Sequence, residues 1–273
     1  MDIDPRRTRY KELMALELEE VYERLFEEVK TWNDMTSNEP LTICPTVCGC
    51  EVKNNGSSPM FIGRAINGWC PLVDEGKDAL FEYKERLHCC EKCGLSWVEG
   101  IDVWRFCIEN GCSFVKGKKE EDLVDGRSKR TPFWQTVKYI CKNDEDINIP
   151  EEEYLKRIIW SNLYKASYVV GGNPTDFYKQ QILFCNVILI KEIERYNPGK
   201  LYFITEVNRR DNKQNRSWFC RDYSDDLCFR ELYEFLADSE WKDKVIVLTR
   251  PEFQSLQRIW QCREGLEGNK LEP

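Results

Sequence analysis

Eight apolar residues recur through positions 8–32 at helical spacing: Tyr10, Leu13, Met14, Leu18, Val21, Leu25, Val29 and Trp32, with Glu and Arg between them. Side chains three and four apart share one face of a helix, so the spacing predicts an amphipathic helix over 8–32 laid on a core. Further along, the period changes. Four short apolar runs, MFIG (60–63), RIIWSNLY (157–164), KLYFITE (200–206) and KVIVLTR (244–250), are each bounded by turn chemistry. Runs of that length read as strands of a parallel sheet, buried on both faces. Between the second and third runs, Phe177, Ile182, Cys185, Ile188, Leu189 and Ile193 return to helical spacing, and Asn197-Pro198-Gly199 stops that helix. FRELYEFLADSEWKD supplies a second helix between the third and fourth. Pro132, following Thr131, starts another, in the first-turn position where proline is tolerated.

Strand, helix, strand, helix, strand with short connections predicts a right-handed parallel α/β arrangement. The expected fold is a three-layer α/β/α sandwich around a central four-stranded parallel sheet. With 273 residues the chain suits a single domain, 1–273, carrying an insertion between the first two strands. That insertion runs from 70 to 156, its cysteine-rich part spanning 70–130, and the last residues, EGLEGNKLEP, read as a frayed tail.

Composition places the chain among ordinary globular proteins, with 41% hydrophobic and 32% charged residues. The first 30 residues are densely charged, with neither the apolar segment of a signal peptide nor a run long enough to span a membrane. A cytoplasmic protein without a membrane partner is expected, monomeric, with most of its 14 cysteines reduced. A net charge of −8 argues against binding polyanions through the whole surface.

Ligands of open parallel sheets sit outside the carboxyl ends of the strands. There the four runs are followed by Arg64, Asn67 and Trp69, by Asn162 and Lys165, by Arg209 and Arg210, and by Arg250. An acidic chain thus gathers guanidiniums, amides and rings along one edge of its sheet. Arginines clamp phosphate, amides read a base edge and rings stack on a base face, so the expected partner is a nucleotide or a nucleic acid strand.

Several stretches also resemble a bacterial branch of the uracil-DNA glycosylase superfamily with a glycine-x3-Asn-Gly-Trp motif. The matching segments are FIGRAINGW (61–69), TPFWQTVKYI (131–140), IIWSNLYK (158–165), QILFCNVILIKEIERYNPGKLYFIT (181–205) and VIVLTRPEF (245–253), covering about 58–260. The resemblance implies a glycosylase-like core and a DNA-repair hydrolase that cleaves the N-glycosidic bond of a damaged or deaminated base. It makes Asn67 the group that orients water, although Asn67 stands four positions after Gly63 where the superfamily usually uses two. It makes Asn162 the group that holds the extruded base, and puts Arg250 where a histidine commonly meets the charge on the leaving base. Trp69, Phe133 and Trp134 are the candidate stacking faces, and Arg64, Lys165, Arg209 and Arg210 the candidate cations. A module of the same fold that binds a nucleotide or modified base without chemistry is the alternative. An interaction protein that binds no oligonucleotide is a further one.

Cys44-x3-Cys48-x-Cys50, Cys89-Cys90-x2-Cys93 and Cys107-x4-Cys112 cluster early in the chain. Thiolates so spaced ligate zinc or an iron-sulfur cluster, and some glycosylases of the superfamily carry the latter. Cys44, Cys48, Cys90 and Cys93 are the candidate ligands, with buried small apolar thiols as the other explanation.

Overall fold

The computed structural model describes residues 4–35, 41–43, 45–49, 51–52, 56–65, 132–144, 147–150, 153–168, 177–206 and 229–249. Its helices are α1 (Pro5–Met14), α2 (Leu18–Met35), α3 (Pro132–Asn143), α4 (Tyr154–Arg157), α5 (Tyr178–Tyr196) and α6 (Arg230–Ala237). Its strands are β1 (Leu41–Ile43), β2 (Val47–Cys48), β3 (Pro59–Ala65), β4 (Ile159–Tyr164), β5 (Ala166–Tyr168), β6 (Lys200–Glu206) and β7 (Val245–Thr249).

The protein is mixed α/β. Four strands, in the order β4-β3-β6-β7, run parallel, and the short β2 joins the β4 edge antiparallel. β1 and β5 form a separate antiparallel pair. Alternation along the strands assigns the two faces. Phe61, Trp160 and Tyr202 pack with Val137, Ile140 and Cys141 of α3, whereas Met60, Ile62 and Phe203 pack with Ile182, Leu189 and Ile193 of α5. Helix α5 is covered on its far side too, by α2 and the β1–β5 pair through Leu25, Val29, Leu41, Val187 and Ile188. A helix enclosed in this way is apolar nearly all round.

The amphipathic stripe over 8–32 is two helices rather than one. The carboxylate of Glu20 accepts the Glu17 backbone N–H at 2.8 Å, one half of a capping box, and α2 starts afresh there. Leu13 and Leu18, on either side of the break, are both buried. No glycine or proline marks the break in the sequence.

Polar side chains complete several ends of elements. Asn186, buried in α5, accepts the Leu232 N–H at 2.9 Å and so caps α6, whose own N-cap residue, Phe229, supplies no side-chain bond. Gln181 takes both backbone groups of Ala166, at 2.9 and 3.1 Å, and so ties the start of β5 to α5. Asn197 ends α5 in the left-handed conformation, φ 41°, its N–H bonded to Ile193 O. Just beyond, a Cβ on Gly199 would stand 2.2 Å from the carbonyl oxygen of Gly56, while its N–H donates to Ser58 O at 2.9 Å. That close approach seats the start of β6 against the start of β3, where Pro59 pairs with Lys200. No helix among the described residues is long and apolar enough to cross a membrane.

Candidate ligand site at the carboxyl edge of the sheet

Two residues before the strands end, Gly63 of β3 and Asn162 of β4 face each other in register. A Cβ on Gly63 would lie 2.6 Å from Asn162 Oδ1 and 3.3 Å from Phe133 Cε2. Only the missing side chain lets a carboxamide and a phenyl ring close over this point of the backbone. Phe133, second residue of α3, also meets the Trp160 ring at 6.5 Å between centroids, tilted by 52°. Asn162 is 5% exposed, and its carboxamide oxygen is the atom nearest to where a Cβ on Gly63 would stand.

One residue further, the alternation of β3 sends Arg64 to the opposite face. The guanidinium is half-buried near Tyr164 and the first residue of α5, Tyr178, and burial lowers its pKa below the ordinary value. Burial likewise pushes the Tyr178 hydroxyl up to about 12, so at neutral pH the tyrosine is uncharged beside a cation. The rings of Tyr164 and Tyr178 lie 4.3 Å apart. Helix α5 begins here with no side-chain cap and no acid in its first turn, which leaves the positive end of its dipole at the same edge. On β6 the hydroxyl of Thr205 is buried without a hydrogen bond among the described residues, where pairing with β7 becomes irregular between Ile204 and Glu206.

The expected site residues thus fall into groups. Asn162 and Phe133 come together on one face, with Arg64 at the end of the same strand pair on the other. Trp134 follows Phe133 in α3. Lys165 does not stand at this edge. It is 0% exposed, its Nζ bonded to Glu192 Oε2 at 2.8 Å and to Ser161 Oγ. Asn67, Trp69, Arg209, Arg210 and Arg250 lie outside the described residues.

Sequence reasoning missed two residues. Gly63 was read as the end of a strand, and its part in admitting Asn162 follows only from the register. Glu192 was passed over inside the apolar pattern of α5. A carboxylate flanked by Ile188, Leu189 and Ile193, with a lysine just past a strand, is the signal that would have found the pair.

Of the candidate metal ligands, Cys48 is buried in β2 and forms no disulfide, and its thiol lies beside Tyr196. Cys44, Cys90 and Cys93 lie outside the described residues, as does His88. Among the described residues, no three His, Cys, Asp or Glu side chains come together as a metal site. Cys141 and Cys185 are closed off, and burial pushes each thiol up to about 12, which keeps both protonated at neutral pH.

Architecture and edge together define a mixed α/β protein with Asn162, Phe133 and Arg64 near the carboxyl ends of neighbouring parallel strands. Compared with models of known protein families, with curated proteins and with solved structures, the chain matches none.

Proposed function

We propose that the carboxyl edge of the sheet binds a nucleobase-bearing anion, a nucleotide or a nucleic acid strand, with the base edge on Asn162 and its face toward Phe133. The observation that carries this reading is the Asn162 carboxamide, 5% exposed and held over Gly63 beside the Phe133 ring. A carboxamide offers a donor and an acceptor side by side, which matches the paired groups on the edge of uracil, hypoxanthine or an intact base. The phenyl ring supplies the stacking face, worth about 1–3 kcal/mol per base. Arg64 and the amino end of α5 favour the negative charge that accompanies a nucleotide.

The resemblance of FIGRAINGW, IIWSNLYK and VIVLTRPEF to the uracil-DNA glycosylase superfamily extends the proposal to hydrolysis of an N-glycosidic bond. In that reading Asn67 orients the water and Arg250 meets the leaving base. The alternative, recognition without chemistry, keeps the same base contacts. Incubation with oligonucleotides containing uracil or hypoxanthine, followed by alkali, separates the two. Strand breaks that disappear in Asn67→Ala support hydrolysis, and retention without breaks supports a binding module. In either case Asn162→Ala is expected to weaken binding about 10- to 100-fold, the cost of one buried polar contact. Binding unaltered by that substitution refutes the proposal, and so does wild-type protein that retains none of these oligonucleotides.

A further inference from the structure

Strand β4 is held differently along its length. Ile159 and Trp160 have partners on both sides, in β2 and β3. β2 ends at Cys48, so residues 161–164 keep only the β3 ladder among the described strands. At Lys165 the chain leaves this sheet, and Ala166–Tyr168 pairs with β1 in the other. Asn162 therefore sits where the main chain has lost half of its usual strand support.

A buried network of side chains stands in that place. Lys165 Nζ reaches back to Ser161 Oγ and to Glu192 Oε2, the latter at 2.8 Å. Ser161 Oγ donates to the same Glu192 oxygen at 2.8 Å and accepts from Thr46 Oγ1, just before β2, at 3.0 Å. Tyr22 of α2 donates to Glu192 Oε1 and closes the carboxylate. Lys165 and Glu192 are fully buried, and Ser161 is 2% exposed. The Lys165 backbone N–H donates to Cys185 Sγ, and Gln181 holds the following residue.

We propose that the Ser161–Lys165–Glu192 network, closed by Tyr22, positions Asn162. Ser161 and Lys165 flank Asn162 along the chain and are fastened to α5 on the side opposite Gly63. Fastening both fixes the backbone between them, and with it the direction in which the carboxamide meets Gly63. A buried ion pair is weak evidence of stability, since apolar replacements are often neutral or stabilising, whereas a satisfied polar network specifies one geometry. Lys165 and Glu192 are then positioning residues that hold the amide ready before the ligand arrives. The inference rests on Asn162 being a ligand contact.

The test replaces the network without stranding a charge: Tyr22→Phe, Ser161→Ala, Lys165→Met and Glu192→Leu together, titrated with uracil and with a uracil-containing oligonucleotide. At a temperature where circular dichroism shows both proteins folded, the variant is expected to bind about tenfold more weakly than wild type. Added to an Asn162→Ala background, the same four changes are expected to alter affinity less than about twofold, because the group they position is gone. Equal affinity of wild type and network variant overturns the proposal. An equal loss in both backgrounds overturns it too, since that marks general damage to the fold. Should the fourfold variant not fold, Tyr22→Phe and Thr46→Val, taken singly, each remove one hydrogen bond and leave the ion pair. Each is then expected to weaken binding about two- to fivefold, and no change in either overturns the proposal. Wild-type protein that binds neither probe refutes the ligand reading itself and the positioning role with it.

Discussion

Gly63 sets the geometry of the candidate site by what it lacks. In a strand, alanine in place of glycine normally gains about 0.5–1 kcal/mol from reduced backbone freedom. Here the added methyl would meet Asn162 Oδ1 at 2.6 Å and the Phe133 ring at 3.3 Å. Gly63→Ala is therefore expected to destabilise the protein, by about 1–3 kcal/mol in urea unfolding, as overpacked sites do. In an Asn162→Ala background the cost is expected to fall by more than half, since the closer contact has been removed. A neutral or stabilising Gly63→Ala contradicts the described closure. At this scale the sequence was a partial guide. The places of Asn162 near a strand end and of Phe133 at a helix start are legible in the pattern. Lys165 was assigned to the rim because nothing in its neighbours signals that the chain turns there into a second sheet, carrying the side chain inward.

Among the elements, β4 and α5 depend on each other through one ion pair with no water-facing side. Lys165→Met alone leaves the Glu192 carboxylate buried without its cation, and is expected to cost about 3–5 kcal/mol in urea unfolding. Combining it with Glu192→Leu and Ser161→Ala is expected to restore much of that loss, because the stranded charge is gone. A single substitution that costs under about 1 kcal/mol contradicts a desolvated pair. The long elements were readable from periodicity and stop signals. KLYFITE is β6 residue for residue, and the Asn-Pro-Gly stop falls one residue after the end of α5. What periodicity lacked were features decided by tertiary contact. The break between α1 and α2 depends on a side-chain cap, the antiparallel addition of β2 involves two residues, and the β1–β5 pair joins three-residue segments far apart in the chain.

For the molecule as a whole, the buried thiols and phenols give stability a direction with pH. Burial, together with Asp144, pushes the Cys141 thiol up to about 12, and burial does the same to Cys185, against an ordinary thiol value of 9.0. Tyr178 is likewise raised to about 12 from 10.0 by burial. Below pH 9 these groups hold their protons whether the chain is folded or not, and they leave stability independent of pH. Between about 9 and 12 the unfolded chain releases protons that the folded protein keeps, so the unfolded state gains and stability falls. Each thiol contributes a loss of about 1.4 kcal/mol per pH unit over that window. Urea unfolding at constant ionic strength should accordingly give a flat free energy from about pH 7 to 8.5 and a steepening decline to pH 11. In a Cys141→Ala, Cys185→Ala protein the starting stability is lower, but the alkaline decline should be shallower, with Tyr178 supplying much of what remains. A slope unchanged by removing both thiols would mean that they are reached by water, which the packing of α3 and α5 on the two faces of the sheet forbids.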